Sequence, residues 1–210
     1  RREALADIAL RYSVPIIEDD AYSMLPSRRQ PTIASLAPEL TYYITGLSKF
    51  LGAGLRTAYV YAPTTAQLQR VAGTLRAMTV MGSTFTHAIA TQWVLDGTAH
   101  AMLEAVRGES IARQQLAARY LADYSFDAQP ECFHLWLRLP NAWSPAHFAS
   151  ELRSKSVGAV ASAAFCTNGD PPNAVRLSLG GTQSRAMWEI SLKQIVDTLK
   201  HPAHPEASAI

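Results

Sequence analysis

The sequence predicts an α/β chain in two parts: residues 1–114 as part of a sheet domain and residues 115–203 as a small α+β domain. Three observations lead there. A short β-branched run at 14–18 has the character of a buried parallel strand, and 41–45 reads as a second strand, both set among helical patterns. One long helical pattern fills 99–120. Beyond Pro130 the order becomes strand, helix, strand, strand, helix, which is the pattern of a compact α+β unit.

Residues 2–11 read as an amphipathic helix whose apolar face is Leu5, Ile8, Ala9 and Tyr12. Strand 14–18 follows, then a loop at 26–38 with a single helical turn at 32–37. Strand 41–45 leads through the Gly52-Ala53-Gly54 turn into strand 57–61, closed off by Pro63. Thr64 or Thr65 caps a helix running to Met78. Helix 86–95 ends at Gly97, and helix 99–120 has its weak point at Gly108. An alternating strand at 132–139, a helix at 144–154, strands at 158–161 and 173–179 and a capped helix at 184–199 complete the pattern. Residues 204–210 are expected to form a disordered tail. The chain opens on Arg1-Arg2, without methionine and already inside a helix, so it is expected to be a fragment lacking an N-terminal portion.

With 48% hydrophobic and 17% charged residues the chain is globular. A formal charge of +2 with no basic stripe excludes a nucleic-acid footprint on this stretch. No apolar run approaches the length of a membrane span, and no signal-peptide pattern is present. Cys132, Cys166 and the six histidines have no metal-ligand spacing, so no metal site is expected, and two such thiols fit a reducing cytoplasm.

The chemistry concentrates in two short segments and one later strand. Lys49 ends Thr45-Gly46-Leu47-Ser48-Lys49, just past an apolar strand and before a glycine-rich turn. Asp19-Asp20-Ala21-Tyr22 closes the preceding strand, and Gly54-Leu55-Arg56 follows the lysine. Lysine is the side chain that bonds reversibly to an aldehyde cofactor. A carboxylate keeps a pyridine nitrogen protonated, a phenol hydrogen-bonds the ring oxygen, and an arginine aided by a hydroxyl such as Ser48 grips a phosphate. These groups at these intervals are what pyridoxal 5'-phosphate requires. The glycines at 52 and 54 let the backbone come close to an anion. Strand alternation lets only one of Asp19 and Asp20 face the crevice.

Arg176 is a charged residue in the apolar strand Val175-Arg176-Leu177, and it needs a partner. It reads either as half of a structural ion pair or as a fork for a substrate carboxylate. Trp136 reads as core packing and His134 as a satisfied strand histidine. A hydrolase dyad of Ser48 and Lys49 is discarded, because adjacent strand residues point to opposite faces.

Ile17-Glu18-Asp19-Asp20-Ala21-Tyr22, Leu47-Ser48-Lys49 with Gly54-Leu55-Arg56, and Val175-Arg176-Leu177-Ser178 together resemble the fold-type-I pyridoxal-phosphate enzymes, the class I and II aminotransferases. Within them the chain is most similar to the aminotransferase-like domain of MocR-type transcriptional regulators of the GntR family. The pointers are Phe133-His134-Leu135-Trp136-Leu137, Asp96-Gly97-Thr98-Ala99 and Pro171-Pro172-Asn173-Ala174-Val175-Arg176. The resemblance implies the C-terminal part of an aspartate aminotransferase-like large domain followed by a small C-terminal domain. It implies Lys49 as the catalytic lysine that forms an aldimine, Asp19 beneath the ring nitrogen and Tyr22 at the ring oxygen. Ser48 and Arg56 would hold the phosphate, and Arg176 the substrate carboxylate. The hydroxyl common three positions before the lysine is Gly46 here, with Thr45 or Ser48 to stand in. The resemblance also implies a cytoplasmic homodimer and an amino acid or amine as substrate or effector. DNA contact would come only through a domain upstream of residue 1, and the isolated chain would have little activity. A free-standing aminotransferase of amino-acid metabolism is the alternative.

Overall fold

The computed structural model describes residues 1–181 and 184–202, so the tail expected at 204–210 lies outside the described residues. The chain divides into two compact units, Arg1–Arg107 and Gly108–Ile210.

In the first unit, helix α1 (Arg2–Tyr12) ends at Ser13, which adopts the left-handed conformation (φ 52°), and the chain enters strand β1 (Ile16–Asp19). β1 pairs in parallel with β2 (Thr41–Gly46), Asp19 lying opposite Ile44. Strand β3 (Ala58–Tyr61) pairs antiparallel to β2. Between β2 and β3 lies only a 3-10 turn, Ala53–Leu55, which is too short for the crossover that a parallel pairing needs. The single turn expected in the loop is α2 (Ile33–Leu36), whose cap residue Thr32 accepts from the Ser35 N–H at 3.0 Å. Helices α3 (Thr65–Thr79) and α4 (Thr84–Leu95) start at the caps Thr64 and Ser83. Helix α5 (Thr98–Tyr120) runs unbroken through Gly108.

α1 docks differently from its sequence pattern. Ala6 and Ala9 are buried, whereas Leu5, Ile8 and Tyr12 are 52%, 54% and 68% exposed. Small side chains at a contact let a helix approach closely. The alanine stripe therefore faces the protein, and of the expected apolar face only Ala9 is covered.

In the second unit, strands β4 (Phe126–Ala128), β5 (His134–Arg138), β6 (Ala159–Ala161) and β7 (Ala174–Ser178) form an antiparallel sheet in the order β4-β5-β7-β6. Helices α6 (Pro145–Ser154) and α7 (Arg185–Lys200) begin at serine caps, Ser144 and Ser184. β4 escapes the sequence pattern because its three residues include one large apolar side chain. It is held by pairing to β5 and by the Arg138–Asp127 ion pair at 2.9 Å. Leu135, Leu137, Val175 and Leu177 share one face of the sheet and are buried against Phe148, Leu152, Leu192 and Ile195 of the two helices. Trp136 alternates onto the opposite face, half-buried and outside this core, contrary to the expectation of core packing.

The end of β7 and the start of α7 are tied to α5 by one carboxylate. Arg185 donates through Nε and Nη2 to Oε2 of Glu109 at 2.9 and 2.7 Å, and Arg113 Nε donates to Oε1 at 2.7 Å. Arg113 Nη1 reaches the carbonyl of Leu179 at 2.6 Å. The Arg185 hydrogen bonds first, and those of Arg113 next, hold the Glu109 carboxyl below the ordinary carboxylate range. A depressed folded-state pKa contributes stability above the unfolded-state value, and that contribution is lost as pH falls through the lowered value. Urea unfolding of Glu109→Gln is therefore expected to lose less stability than the parent between neutral pH and about pH 3. An unchanged acid slope contradicts this role for Glu109.

Candidate functional site

β1 and β2 are parallel, so their C-terminal ends emerge side by side, the place where open α/β sheets bind ligands. Side-chain alternation fixes what each end presents. Glu18 points to the helical side, where it is buried and accepts three hydrogen bonds. Its Oε1 takes the Ile33 N–H at 3.0 Å and Arg2 Nη1 at 2.9 Å, and its Oε2 takes the Ala34 N–H at 2.9 Å. Asp19 therefore points to the other face, where it is exposed, with Oδ1 accepting from the Ala21 N–H at 3.3 Å. Asp20 lies past the strand, its Oδ2 accepting from the Tyr43 hydroxyl at 3.2 Å. Of the two adjacent acids, Asp20 is committed inside the protein and Asp19 is presented outward.

The turn after β2 is set by burial of Leu47, Phe50 and Leu51, with the N–H groups of Phe50 and Leu51 both directed to the Leu47 carbonyl. Ser48 and Lys49 are left half-buried on the turn. They stand on this turn and not on the strand, so strand alternation is not what separates them. Lys49 Nζ sits 4.7 Å from the centroid of the Tyr22 ring, a cation–π arrangement. No ion pair joins Lys49 to an acid, Asp19 included, among the described residues. The Thr45 hydroxyl is directed to the Asp20 carbonyl at 3.4 Å, which leaves Ser48 as the better placed of the two alternative hydroxyls.

Arg56 follows the 3-10 turn with φ 50° and ψ 36°, a left-handed conformation uncommon for a residue with a side chain, and it is exposed. Gly52 has a φ of 124° and is required by its backbone, whereas a Cβ at Gly54 would meet nothing. Gly54 thus leaves open room beside Arg56, but it is not a position where only glycine fits. A cavity of about 300 Å³ next to Tyr22 is lined by Asp20, Ser23, Tyr43, Arg2 and Arg28, and neither Asp19 nor Lys49 borders it.

Two positioning residues escaped the sequence reading. Glu18 is one. Arg107 is the other: its Nε donates to the Leu25 carbonyl at 2.5 Å, and its Nη2 to the carbonyls of Met24 and Pro26 at 2.7 and 3.3 Å. It fixes the turn that carries Tyr22 from more than 80 residues away, a separation no local pattern reveals. In the second unit, Arg176 is half-buried on the same sheet face as Trp136, with its Nε enclosed and without a hydrogen-bond partner. It forms no ion pair among the described residues, so the structural-pair reading finds no acid to support it. His134 stands on that face too, its ring edge against Phe133. Among the described residues no His, Cys, Asp and Glu group could hold a metal ion, and no helix is long and apolar enough to cross a membrane.

Comparison with known proteins gives a consistent result. Residues 2–189 match the family described as aminotransferase class I and II. The chain is 31% identical over 202 residues to YdeF of Bacillus subtilis (strain 168), an uncharacterized HTH-type transcriptional regulator, covering 94% of this chain and 44% of YdeF. It is 25% identical to YisV of the same organism, another uncharacterized HTH-type transcriptional regulator, covering 85% of this chain and 38% of YisV. The chain thus spans less than half the length of either relative. Among solved structures, LysN, an α-aminoadipate aminotransferase from Thermus thermophilus complexed with N-(5'-phosphopyridoxyl)-L-leucine, superposes with a TM-score of 0.83 at 23% identity. That match covers 95% of this chain and 53% of LysN. An aromatic aminotransferase from Pyrococcus horikoshii gives 0.82 at 22% identity, covering 95% and 54%. These likenesses establish the aspartate aminotransferase-like fold.

The buried carboxylate that sets the orientation of β1 is directly testable. Glu18→Gln removes the negative charge from all three contacts and sets an amide NH2 against at least one of the N–H and guanidinium donors. It is expected to lower stability by about 1.5–3 kcal/mol, the range for hydrogen bonds to a charged group. Denaturant unfolding checks it, and a loss below about 0.5 kcal/mol, the ordinary surface range, contradicts the anchoring role.

Proposed function

Because the chain belongs to the aminotransferase class I and II family, we propose that it binds pyridoxal 5'-phosphate through Lys49 and receives an amino acid or amine there. The observation that carries this reading is Lys49 itself. A half-buried lysine with no acidic partner among the described residues, its ammonium over a phenol at the ends of two parallel strands, is suited to a covalent partner and not to an ion pair. The remaining groups fit the cofactor: Asp19 offers an outward carboxylate for a pyridinium nitrogen, Tyr22 a phenol for the ring oxygen, and Ser48 and Arg56 a hydroxyl and a guanidinium for a phosphate.

When bound, pyridoxal phosphate supplies an electron sink for the carbon that bears the substrate amine. Lys49 would hold the cofactor and serve as the group that takes and returns the proton at that carbon. Asp19 holds the ring nitrogen protonated, and Tyr22 orients the lysine through their stacked contact. Arg176 takes the carboxylate of the amino compound in a two-pronged grip.

The relatives favour a sensory use of this chemistry. Both curated relatives are HTH-type regulators of which this chain matches under half. We therefore infer an effector-binding domain of a longer, cytoplasmic, dimeric transcriptional regulator of the MocR type. In this reading DNA is contacted by another domain, and turnover is secondary to ligand recognition. A free-standing aminotransferase is the alternative, supported by the family match and by likenesses of fold.

In the intact protein, Lys49→Ala is expected to abolish the visible absorbance of bound cofactor, and its persistence removes Lys49 from the mechanism. Arg176→Ala is expected to keep that band while amino acids lose most of their ability to change it. Equal loss of both contradicts the role of Arg176.

A further inference from the structure

The surroundings of Arg176 are unusual for a cation. Across the sheet its register neighbours are Trp136 on β5 and Val160 on β6, and all three side chains share the face away from the leucine core. Phe165, at the end of the 3-10 turn Ser162–Phe165, lies over the guanidinium, its ring centroid 4.7 Å from Cζ. Trp136 meets Phe165 edge-on, with ring centroids 5.6 Å apart. The next residue in the row, Asp127, faces Trp136 in register and is engaged by Arg138 at 2.9 Å. The Arg176 guanidinium thus lies against the Phe165 ring, with Trp136 and Val160 as register neighbours, no acid paired with it among the described residues, and Nε enclosed and unpartnered.

This arrangement has two chemical consequences. A guanidinium stacked on a ring keeps its plane and loses hydration on that side, so its outer edge is pre-oriented for the two oxygens of a carboxylate. The register neighbours beside that edge, Trp136 and Val160, are apolar, and Arg138, diagonal to it on β5, is already engaged by Asp127 at 2.9 Å, so a dicarboxylate's second charge would have to compete for that guanidinium. The apolar neighbours offer a flat or branched hydrocarbon group a surface to cover.

We propose that Phe165 and Trp136 form the specificity surface of the Arg176 site, selecting carboxylates that carry an apolar, preferably aromatic, group over small or doubly charged ones. The proposal rests on Arg176 as the carboxylate-binding residue and adds which carboxylates it accepts. Phe165 acts by stacking and positioning, and Trp136 supplies the second wall.

The test needs neither cofactor nor turnover. Tryptophan emission of the intact protein is titrated with 3-phenylpropionate, acetate and succinate, with Trp136→Phe identifying the share of the signal that comes from Trp136. The expected result is a change of Trp136 emission at the lowest concentrations for 3-phenylpropionate. Phe165→Leu is expected to weaken 3-phenylpropionate roughly three- to fivefold, the scale of an exposed cation–π contact, and to narrow its advantage over acetate. Phe165→Tyr, which keeps the ring, restores it. Phe165 is 46% exposed, so neither variant disturbs the core. If succinate or acetate binds as tightly as 3-phenylpropionate, or Phe165→Leu leaves the ranking unchanged, the aromatic selection is wrong. In that case loss of all three ligands in Arg176→Ala still upholds the carboxylate reading. Binding of 3-phenylpropionate that survives Arg176→Ala overturns both.

Discussion

The arrangement of the candidate site depends on one buried carboxylate. Glu18 receives two backbone N–H groups at the start of α2 and the guanidinium of Arg2, and so pins the last residues of β1 against the helical side of the sheet. An ionised carboxylate is hidden from water only when its oxygens are satisfied, and here three donors satisfy them. Because neighbouring strand residues face opposite ways, fixing Glu18 inward fixes Asp19 outward. The acid at the site is therefore oriented by the acid behind it. Arg107 does the equivalent for the segment after Asp20, holding three consecutive carbonyls so that the turn bearing Tyr22 has one conformation.

Much of this is legible along the chain, and the part that is not has a common cause. Lys49 and Tyr22 can be placed together from sequence because each closely follows a strand, and adjacent parallel strands bring their ends together. Alternation alone leaves Asp19 and Asp20 open, and the family resemblance picks Asp19; which of the two faces outward becomes visible only with Glu18 pointing inward in the structure. Contacts made by residues far apart are invisible to local patterns, which is why Glu18 and Arg107 read as an ordinary strand residue and an ordinary helix residue. The apolar face of α1 is misread for a related reason: periodicity finds the large side chains, but the docking surface is the adjacent alanine pair, Ala6 and Ala9. Trp136 is misread because hydrophobicity alone does not say which face of a sheet is inside. Its neighbours Leu135 and Leu137 take the inner face and leave it the outer one.

The second unit uses charge in two contrasting ways. Glu109 is shared by two arginines and serves packing, joining α5 to the start of α7. Arg176 is left without an acid among the described residues and lies against the Phe165 ring instead. A cation kept near hydrocarbon with its charge unanswered contributes little to holding a fold together and is better explained by something it binds. The same residue type in one small unit thus serves as a brace at Arg113 and Arg185 and, at Arg176, is the proposed receptor of a carboxylate.

The twisted backbone at Arg56 carries a cost. An L-residue in the left-handed region gives up about 1 kcal/mol relative to its usual conformation, a loss that glycine would avoid. Steric ease alone would favour glycine there, so the arginine at φ 50° places a charge at some cost in stability. Directed evolution for heat resistance would be drawn to replace that side chain early, and under the proposed role of Arg56 the sturdier descendants would grip a phosphate less well.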